Sequence, residues 1–549
     1  KPAEQTPLIA HYAVSLFHRA GVPVNVLQLL LGSGPKIGNI LITDARISGV
    51  AFTGSTETAM IINRQLATRS GGPIPFVAET GGQNCMIVDS TALPEQVVDD
   101  VIASSFLSAG QRCSALRVLF LQEDIADTVL TMLRGAMHSM NIGDPRYLSS
   151  DVGPVIDRTA QKALLLHIEK MHREGTLIAK TKLNDNTSQG SFVAPHAFEI
   201  KSIDQLNKEV FGPILHIIRF NAENLDAVIN QINATGYGLT LGIHSRIEAF
   251  SETVYRKTIV GNTYVNRNMV GAVVGVNPFG GRGLSGTGPK AGGPNYLFRF
   301  CSEQQKTNTI DQISSVGTTM ARYSEVSPDT TSLQKDLIEA SEQAMLEWQS
   351  YPIKKRINCI TPLIPYLEGL PVVSIVNQKL AEPLRLPGPT GEKNELRLVG
   401  RGPMLVVITS EDSLDLGLRQ VASALLCGCS VIVATEPEHA LAVEKITKRL
   451  ITSGVPKNLL ILTDLDTISS TICQPALGGL VTNTLGSDSQ TIRHLLAQRK
   501  DSIIPLIEWP KNNAEYQFSW LLWFLSERTL TENVVARGGN TELFSLTEN

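Results

Sequence analysis

No apolar run among the 549 residues reaches the ~20 needed to cross a bilayer; the longest lies around residues 421–434. No secretory signal is visible, and the sequence opens at Lys1 without a Met, which reads as a piece of a longer chain. The seven cysteines are odd in number and lack framework spacing, which excludes a disulfide scaffold and points to a reducing, cytoplasmic setting. Cys427 and Cys429 lie in an apolar stretch and read as core residues. The ten histidines form no metal-ligand spacing, so no metal is expected. A net charge of −4 leaves no footprint for phosphate backbones or anionic lipid, and no nucleic-acid partner or transmembrane segment is expected. The segment Gly32-Ser33-Gly34 does not continue as G-x-G-x-x-G, so the usual dinucleotide fingerprint is missing as well.

What remains is an ordinary globular composition, 42% hydrophobic, with a generous 44 glycines that suit many strand-to-helix turns. The length suggests roughly three or four domains. Thr6-Pro7 reads as N-cap and first helical residue, 8–17 as a helix and Gly21 as its stop. Residues 22–31 and 47–52 read as buried strands, 56–68 as a helix and 75–78 as a short strand. An amphipathic helix over 94–108 precedes the Gly110–Cys113 loop and a strand over 116–121. This alternation predicts an α/β chain with a parallel, doubly wound sheet. Residues 306–332 are polar and weakly periodic, a linker or arm, and 333–348 form an amphipathic helix stopped at Pro352. Segment 431–462 follows the plan of 1–30, a helix ending in Gly-Val-Pro and then an apolar run. Farther on, TIRHLLAQRKDSIIPLIEW parallels MIINRQLATRSGGPIPFVAET. A duplicated Rossmann-like unit is expected, without a second Cys113 loop.

Five motifs carry chemistry. In SAGQRCSA, Cys113 sits between a helix and a strand among small residues. A lone Cys is more often a buried hydrophobe, but a nucleophilic thiol needs this room and a positive surrounding. In AETGGQN, Glu79 closes a short apolar strand. It reads either as a strand-end carboxylate or as a general base freed by Gly81 and Gly82. In AFTGSTETA, Gly54 and Ser55 form a strand-to-helix turn whose N–H groups would attract phosphate. EVFGPIL contains Glu209 and Phe211, a carboxylate for a ribose and a ring for a nicotinamide. NPFGGRGLSGTG (277–288) is dense enough in glycine to line a pocket. The apolar FSWLLWFL (518–525) reads as a core helix, with an interface patch as the other choice.

Together KPAEQTP, FTGST, E-x-GG, GQRCSA, EVFGP and NPFGG stand in the order and spacing of the aldehyde dehydrogenase superfamily, which the chain resembles. Within it the chain is similar to the C-terminal half of the proline utilization A family, bifunctional enzymes that oxidise proline to glutamate. AETGGQN, the 270–294 segment, LPGPTGEKN (386–394) and the GGN at 538–540 support that choice. The resemblance implies an aldehyde dehydrogenase fold followed by a second, degenerate Rossmann-like domain. The expected division is 1–96 for NAD, without its N-terminal part, 97–275 for catalysis, 276–332 as return segment and arm, and 333–549 as the degenerate domain. It further implies NAD as cofactor, with Lys1 and Glu4 on the adenosine ribose, Gly54 and Ser55 at the pyrophosphate, and Glu209 and Phe211 at the nicotinamide end. Ser114, Gly271 and Ala272 would anchor the α-carboxylate and amine of glutamate semialdehyde, and Phe279 would wall its stem. Cys113 would form a thioester that Glu79 hydrolyses. A proline dehydrogenase domain binding FAD would lie upstream, and a homo-oligomer is expected.

One departure concerns the oxyanion. The family places an Asn donor and the opening NAD-domain strands upstream of its Lys-Pro motif, and nothing precedes Lys1 here. Losing one such donor typically costs about 10²–10³ in rate, so weak NAD binding and slow turnover are expected of the chain as given. Two other readings stay open: a different semialdehyde substrate such as succinate semialdehyde, and a non-catalytic lid or assembly role for the region after about Gly400.

Overall fold

The computed structural model of the chain describes residues 1–70, 72–301, 328–409, 413–482, 487–508 and 517–535. Three bodies of structure follow from the apolar pattern. The first contains a two-stranded parallel pair, Val50–Thr53 with Phe76–Glu79, joined by the helix Thr56–Ala67. Ser55 caps that helix, its Oγ accepting the Thr58 N–H at 3.2 Å. The pairing matches Thr53 with Glu79, which sets the FTGST turn beside the Glu79 strand end.

The second body is a ten-stranded sheet. In order it runs Leu384–Leu386, Glu392–Gly400, Leu525–Asn533, Asn262–Val265, Thr240–His244, Cys85–Val88, Val118–Gln122, Ile214–Phe220, His196–Glu199 and Thr176–Lys180. Its central strands are largely apolar and covered on both faces: Met86, Ile87, Leu119, Phe120 and Leu241 are fully buried. The helices Pro94–Phe106 and Glu123–Ser139 cover it.

The third body is a five-stranded parallel sheet in the order Leu460–Asp464, Val431–Thr435, Met404–Ile408, Gly479–Thr482, Leu506–Glu508. Alternate residues reach opposite cores. Val406, Val433 and Val481 join one cluster, while Leu405, Ile432 and Leu480 join the other. Of the two expected echoes, 431–462 and 1–30 share a helix but not the strand after it, since only Leu460–Asp464 forms one; the second echo has a counterpart in the strand pairing. Val50 pairs with Phe76 and Leu480 with Leu506 at the same sequence separation, each across a β–α–β unit. The helix Ser487–Ala497 packs against Thr56–Ala67.

Several expectations change. Residues 22–31 form turns and loop, largely exposed, not a buried strand. The parallel sheet there has two strands, and a strand without a partner leaves its backbone groups unpaired. The helix expected over 333–348 runs Pro328–Ser350, so the end of the supposed arm is helical. The rest of that arm and the 538–540 GGN lie outside the described residues. FSWLLWFL does enter the core, with Leu521, Leu522, Phe524 and Leu525 buried. Only Phe518–Leu521 is helical, one turn that leads into the strand Leu525–Asn533. That strand crosses from the third body into the ten-stranded sheet, parallel to Asn262–Val265 and antiparallel to Glu392–Gly400. Among the described residues, no helix is long and apolar enough to cross a membrane.

Candidate active site

Cys113 sits where the helix Pro94–Phe106 ends and the chain turns towards the strand Val118–Gln122. The turn is strained: Ser108, Ala109 and Gly110 all have left-handed φ, at 56°, 54° and 64°. Each non-glycine there costs about 1–2 kcal/mol, and such a run persists only where its surroundings over-determine it. Arg117 does so. It is almost fully buried and donates from Nη1 to the carbonyls of Gly110 (2.6 Å) and Gly212 (3.3 Å), and from Nη2 to that of Arg112 (3.1 Å). A Cβ on Gly110 would lie 2.3 Å from the Gly212 oxygen, so only glycine allows the GQRC and EVFGP motifs to meet.

Asn84 braces the other side. Its Nδ2 donates to the carbonyls of Cys113 (2.6 Å) and Ala115 (2.8 Å), while its Oδ1 accepts the Thr240 N–H at 3.2 Å. Thr240 Oγ1 donates to the carbonyl of Ser114, which is buried. Ser104 joins two regions: its carbonyl accepts the Leu116 N–H, and its Oγ accepts the Met269 N–H, each at 3.0 Å. Ser104 thereby ties the chain just after Cys113 to the segment leading to Gly271 and Ala272. That pair lies exposed in a loop whose Val273 N–H is held by Asn277 Oδ1. Asn277 in turn donates to Asn394 Oδ1 (2.8 Å) and Thr531 Oγ1 (3.0 Å) on the two late strands. Phe279, half-buried, is fixed by reciprocal 2.9 Å backbone bonds with Ala291.

The Cys113 side chain is half-buried, less open than its loop position suggested. Burial pushes its thiol up, with the Glu209 and Glu79 carboxylates adding to the effect and the Ser114 N–H opposing it. The expected positive surrounding is therefore outweighed in this protein. Arg112 instead donates from Nε to Ser108 Oγ at 3.1 Å.

Burial raises the Glu79 carboxyl to about 8, against the opposing pull of the Gly281 N–H and the Lys290 ammonium. Oε2 accepts the Gly281 N–H at 2.7 Å, while the buried Oε1 has no hydrogen-bond partner among the described residues. A Cβ on Gly280 or Gly286 would lie 2.9 or 2.7 Å from a Glu79 carboxyl oxygen, so the NPFGG loop forms the cradle for this side chain. Segment 284–287 lies along the Glu79 strand, Thr287 N–H donating to the Ala78 carbonyl at 2.9 Å and Thr80 N–H to that of Ser285 at 3.0 Å. Gly81 serves another carboxylate. Its missing side chain makes room for Glu209. Gly82 likewise lies against Asn84 Oδ1.

Glu209 pairs with Arg117 at 3.0 Å, and Phe211 stacks against the same guanidinium, 5.1 Å from ring centroid to Cζ. Glu57, in the first turn after Ser55, faces Glu209 and adds to the burial that raises its carboxyl. The Gly54 N–H donates to the Glu79 carbonyl at 3.1 Å. Lys1 Nζ lies 3.6 Å from Glu4 Oε1, which accepts the N–H of Gly34 at the start of the helix Gly34–Thr43. Among the described residues, no group of three or more His, Cys, Asp or Glu could hold a metal ion. Arg117, Asn84, Thr240, Ser104 and Lys290 were missed by sequence reading, although Asn84 stood inside AETGGQN and Lys290 inside the 270–294 segment.

The arrangement thus holds a confined thiol, a buried carboxyl with a free oxygen, and a second carboxylate beside an aromatic ring and a capped helix start. Residues 1–307 match the aldehyde dehydrogenase family. The chain is 41% identical over 558 residues to the bifunctional protein PutA of Escherichia coli strain K12, covering 100% of this chain and 39% of that protein. A crystallised mutant of Bradyrhizobium japonicum proline utilization A (PutA) is 56% identical with a TM-score of 0.54, over 55% of this chain and 31% of that one. A Thermus 1-pyrroline-5-carboxylate dehydrogenase with bound NAD is 33% identical with a TM-score of 0.52, over 55% and 58%. The chain spans only 32–39% of the length of the PutA proteins it matches. By its motifs, its match over residues 1–307 and its fold, the chain belongs to the aldehyde dehydrogenase family.

Proposed function

We propose that the chain oxidises L-glutamate 5-semialdehyde, the open form of 1-pyrroline-5-carboxylate, to L-glutamate with NAD, as a step of proline catabolism. The observation that carries the chemistry is the confined Cys113 thiol within electrostatic reach of the buried Glu79 carboxyl. The substrate class rests on relatives named PutA and 1-pyrroline-5-carboxylate dehydrogenase, the latter 36% identical over 304 residues in Geobacillus kaustophilus.

NAD, when bound, supplies the hydride acceptor. The donor set suits it. Lys1 and Glu4 lie at one helix start, and Ser55 caps a second, where N–H groups favour a pyrophosphate. Glu209 and Phe211 stand at the far end for the nicotinamide ribose and ring. Cys113, as thiolate, attacks the aldehyde carbon and forms a C–S bond. Loss of hydride from that carbon leaves a thioester. Glu79 then takes a proton from water as the hydroxide oxygen bonds the acyl carbon and the C–S bond breaks. Ser114, Gly271 and Ala272 hold the amino-acid end, and Phe279 packs on the stem. A base at Glu79 favours hydrolysis over transfer to a thiol acceptor.

The wider reading follows the same relatives. A proline dehydrogenase domain with FAD precedes this chain in the parent protein, the setting is cytoplasmic, and the assembly is a homo-oligomer. Residues 1–96 and 97–275 form the NAD and catalytic domains, 276–332 the return segment, and 333–549 a degenerate unit serving structure. NADH formation from glutamate semialdehyde, compared with succinate semialdehyde, tests the assignment. The Cys113→Ala variant should be silent. Replacing Ser114 or Ala272 should raise KM for glutamate semialdehyde strongly; an unchanged KM, or equal use of succinate semialdehyde, contradicts the substrate.

A further inference from the structure

Lys290 is almost fully buried. Nζ donates to Asn262 Oδ1 at 2.7 Å and to the Gly280 carbonyl at 2.6 Å. That carbonyl belongs to the peptide group whose N–H, on Gly281, donates to Glu79 Oε2 at 2.7 Å. One peptide therefore stands between an ammonium and a carboxylate, accepting from the first and donating to the second. Hydrogen bonds in such a chain polarise one another in the same sense. The packing that permits it is tight: a Cβ on Gly261 would lie 2.3 Å from the Gly280 oxygen and 3.1 Å from Nζ.

The last strand of the ten-stranded sheet fixes the ammonium's side of the chain. Glu527 Oε2 accepts the backbone N–H of Lys290 at 2.5 Å, and Oε1 accepts Asn295 Nδ2 at 2.7 Å. Thr529 Oγ1 donates to Asn262 Oδ1 at 2.9 Å, on the oxygen that also receives Lys290. Both residues lie on Leu525–Asn533, contributed from the far end of the chain. We propose that Lys290, seated by Glu527 and Thr529, is a positioning residue that orients and polarises the Gly280–Gly281 peptide towards Glu79, so that the late strand tunes the base that deacylates Cys113. This rests on the reading of Glu79 as that base.

The charges around the pair fix the sign. Glu79 is faced by Lys290, Glu527, the Cys113 thiol and the Tyr296 phenol. Lys290 is faced by Glu527, Glu79, Arg282 and Arg528. Burial lowers Lys290, with the two arginines adding to the drop and the Glu527 and Glu79 carboxylates holding its charge. The ammonium and ionised Glu79 favour one another across the shared peptide, so removing Lys290 moves Glu79 ionisation to higher pH.

The test uses the full chain and p-nitrophenyl acetate, which needs no NAD. Acetyl transfer to Cys113 Sγ releases p-nitrophenolate as a burst, and water assisted by Glu79 releases acetate in the steady state. In Lys290→Gln and Lys290→Met, the rising limb of the steady-state pH profile should move up by about one unit, the size expected for loss of one adjacent charge. Lys290→Arg should restore the limb towards the wild-type position. Lys290→Gln keeps donors at the site and supplies the answer if Lys290→Met does not fold. An unmoved limb in a folded Lys290→Gln variant overturns the proposal. Glu79→Gln separates the two ideas. If it abolishes the steady state while Lys290 variants leave the limb in place, only the role of Lys290 falls; if it still deacylates, the base assignment falls too.

Discussion

A Cβ at position 81 would lie 1.7 Å from Glu209 Oε2 and 2.7 Å from its carboxyl carbon, so Glu209 reaches its seat only because residue 81 is glycine. Gly81 stands two residues after Glu79 but serves the opposite end of the site. Gly81→Ala should therefore displace Glu209 and raise the NAD Kd about tenfold or more, on the order of 1.4 kcal/mol. Ester hydrolysis without NAD should change far less. Fluorescence titration with NADH, alongside a p-nitrophenyl acetate assay, checks this; unchanged NADH affinity would count against the seat.

Arg117 holds three carbonyls and one carboxylate around the nucleophile turn. Arg117→Met leaves Glu209 buried without its cation, and breaking such a pair costs about 3–5 kcal/mol. Denaturant unfolding should show that loss. Alkylation of Cys113 by iodoacetamide should also change rate, because the left-handed run at 108–110 loses its clamp. A variant as stable as wild type with the same alkylation rate would show that the turn is held by something else.

Asn84→Ala removes donors from the Cys113 and Ala115 carbonyls, at about 1–3 kcal/mol for each buried group left unpaired. The expected kinetic signature is a fall in kcat larger than any rise in KM, because the nucleophile moves while the substrate anchor stays. A pure KM effect would place Asn84 in binding instead.

The Glu79 carboxyl, raised from 4.5 to about 8, binds more protons in the folded than in the unfolded state between those values. Its contribution to stability is present at low pH and falls as pH rises through that window. Lys290, lowered from 10.5 by burial, acts oppositely and at higher pH. Between pH 5 and 7, Glu79→Gln should therefore gain stability relative to wild type by on the order of 2–3 kcal/mol. Thermal unfolding of both proteins at the two pH values measures it. A constant difference would mean that Glu79 is ionised across the window.

The motifs were legible because each combines a reactive side chain with glycines that the geometry uses. GQRC and EVFGP meet through Gly110 and Gly212, and NPFGG meets the Glu79 carboxyl through Gly280. The strand read over 116–121 was legible for a different reason: it forms as Val118–Gln122, largely apolar because both its faces are covered. The strand Leu525–Asn533 was not. Its LSERTLTEN sequence looks solvent-facing, yet Glu527, Arg528, Thr529, Thr531 and Glu532 are all buried. Their partners lie more than a hundred residues away in sequence, as for Glu527 with Lys290 and Thr531 with Asn394. No local pattern reports such pairings. Segment 22–31 erred the other way, because an apolar run reads as a buried strand whether or not a neighbouring strand is there to receive it.

The most direct measurement is the fate of Cys113 when hydrolysis is blocked. Glu79→Gln is mixed with NAD and glutamate semialdehyde, quenched, and analysed by intact-mass and peptide mass spectrometry while NADH is followed. Cys113 should carry a glutamyl thioester with about one NADH formed per chain and almost none thereafter. Sustained NADH formation without an adduct, or no NADH and an unmodified Cys113, would contradict the assignment of nucleophile and base.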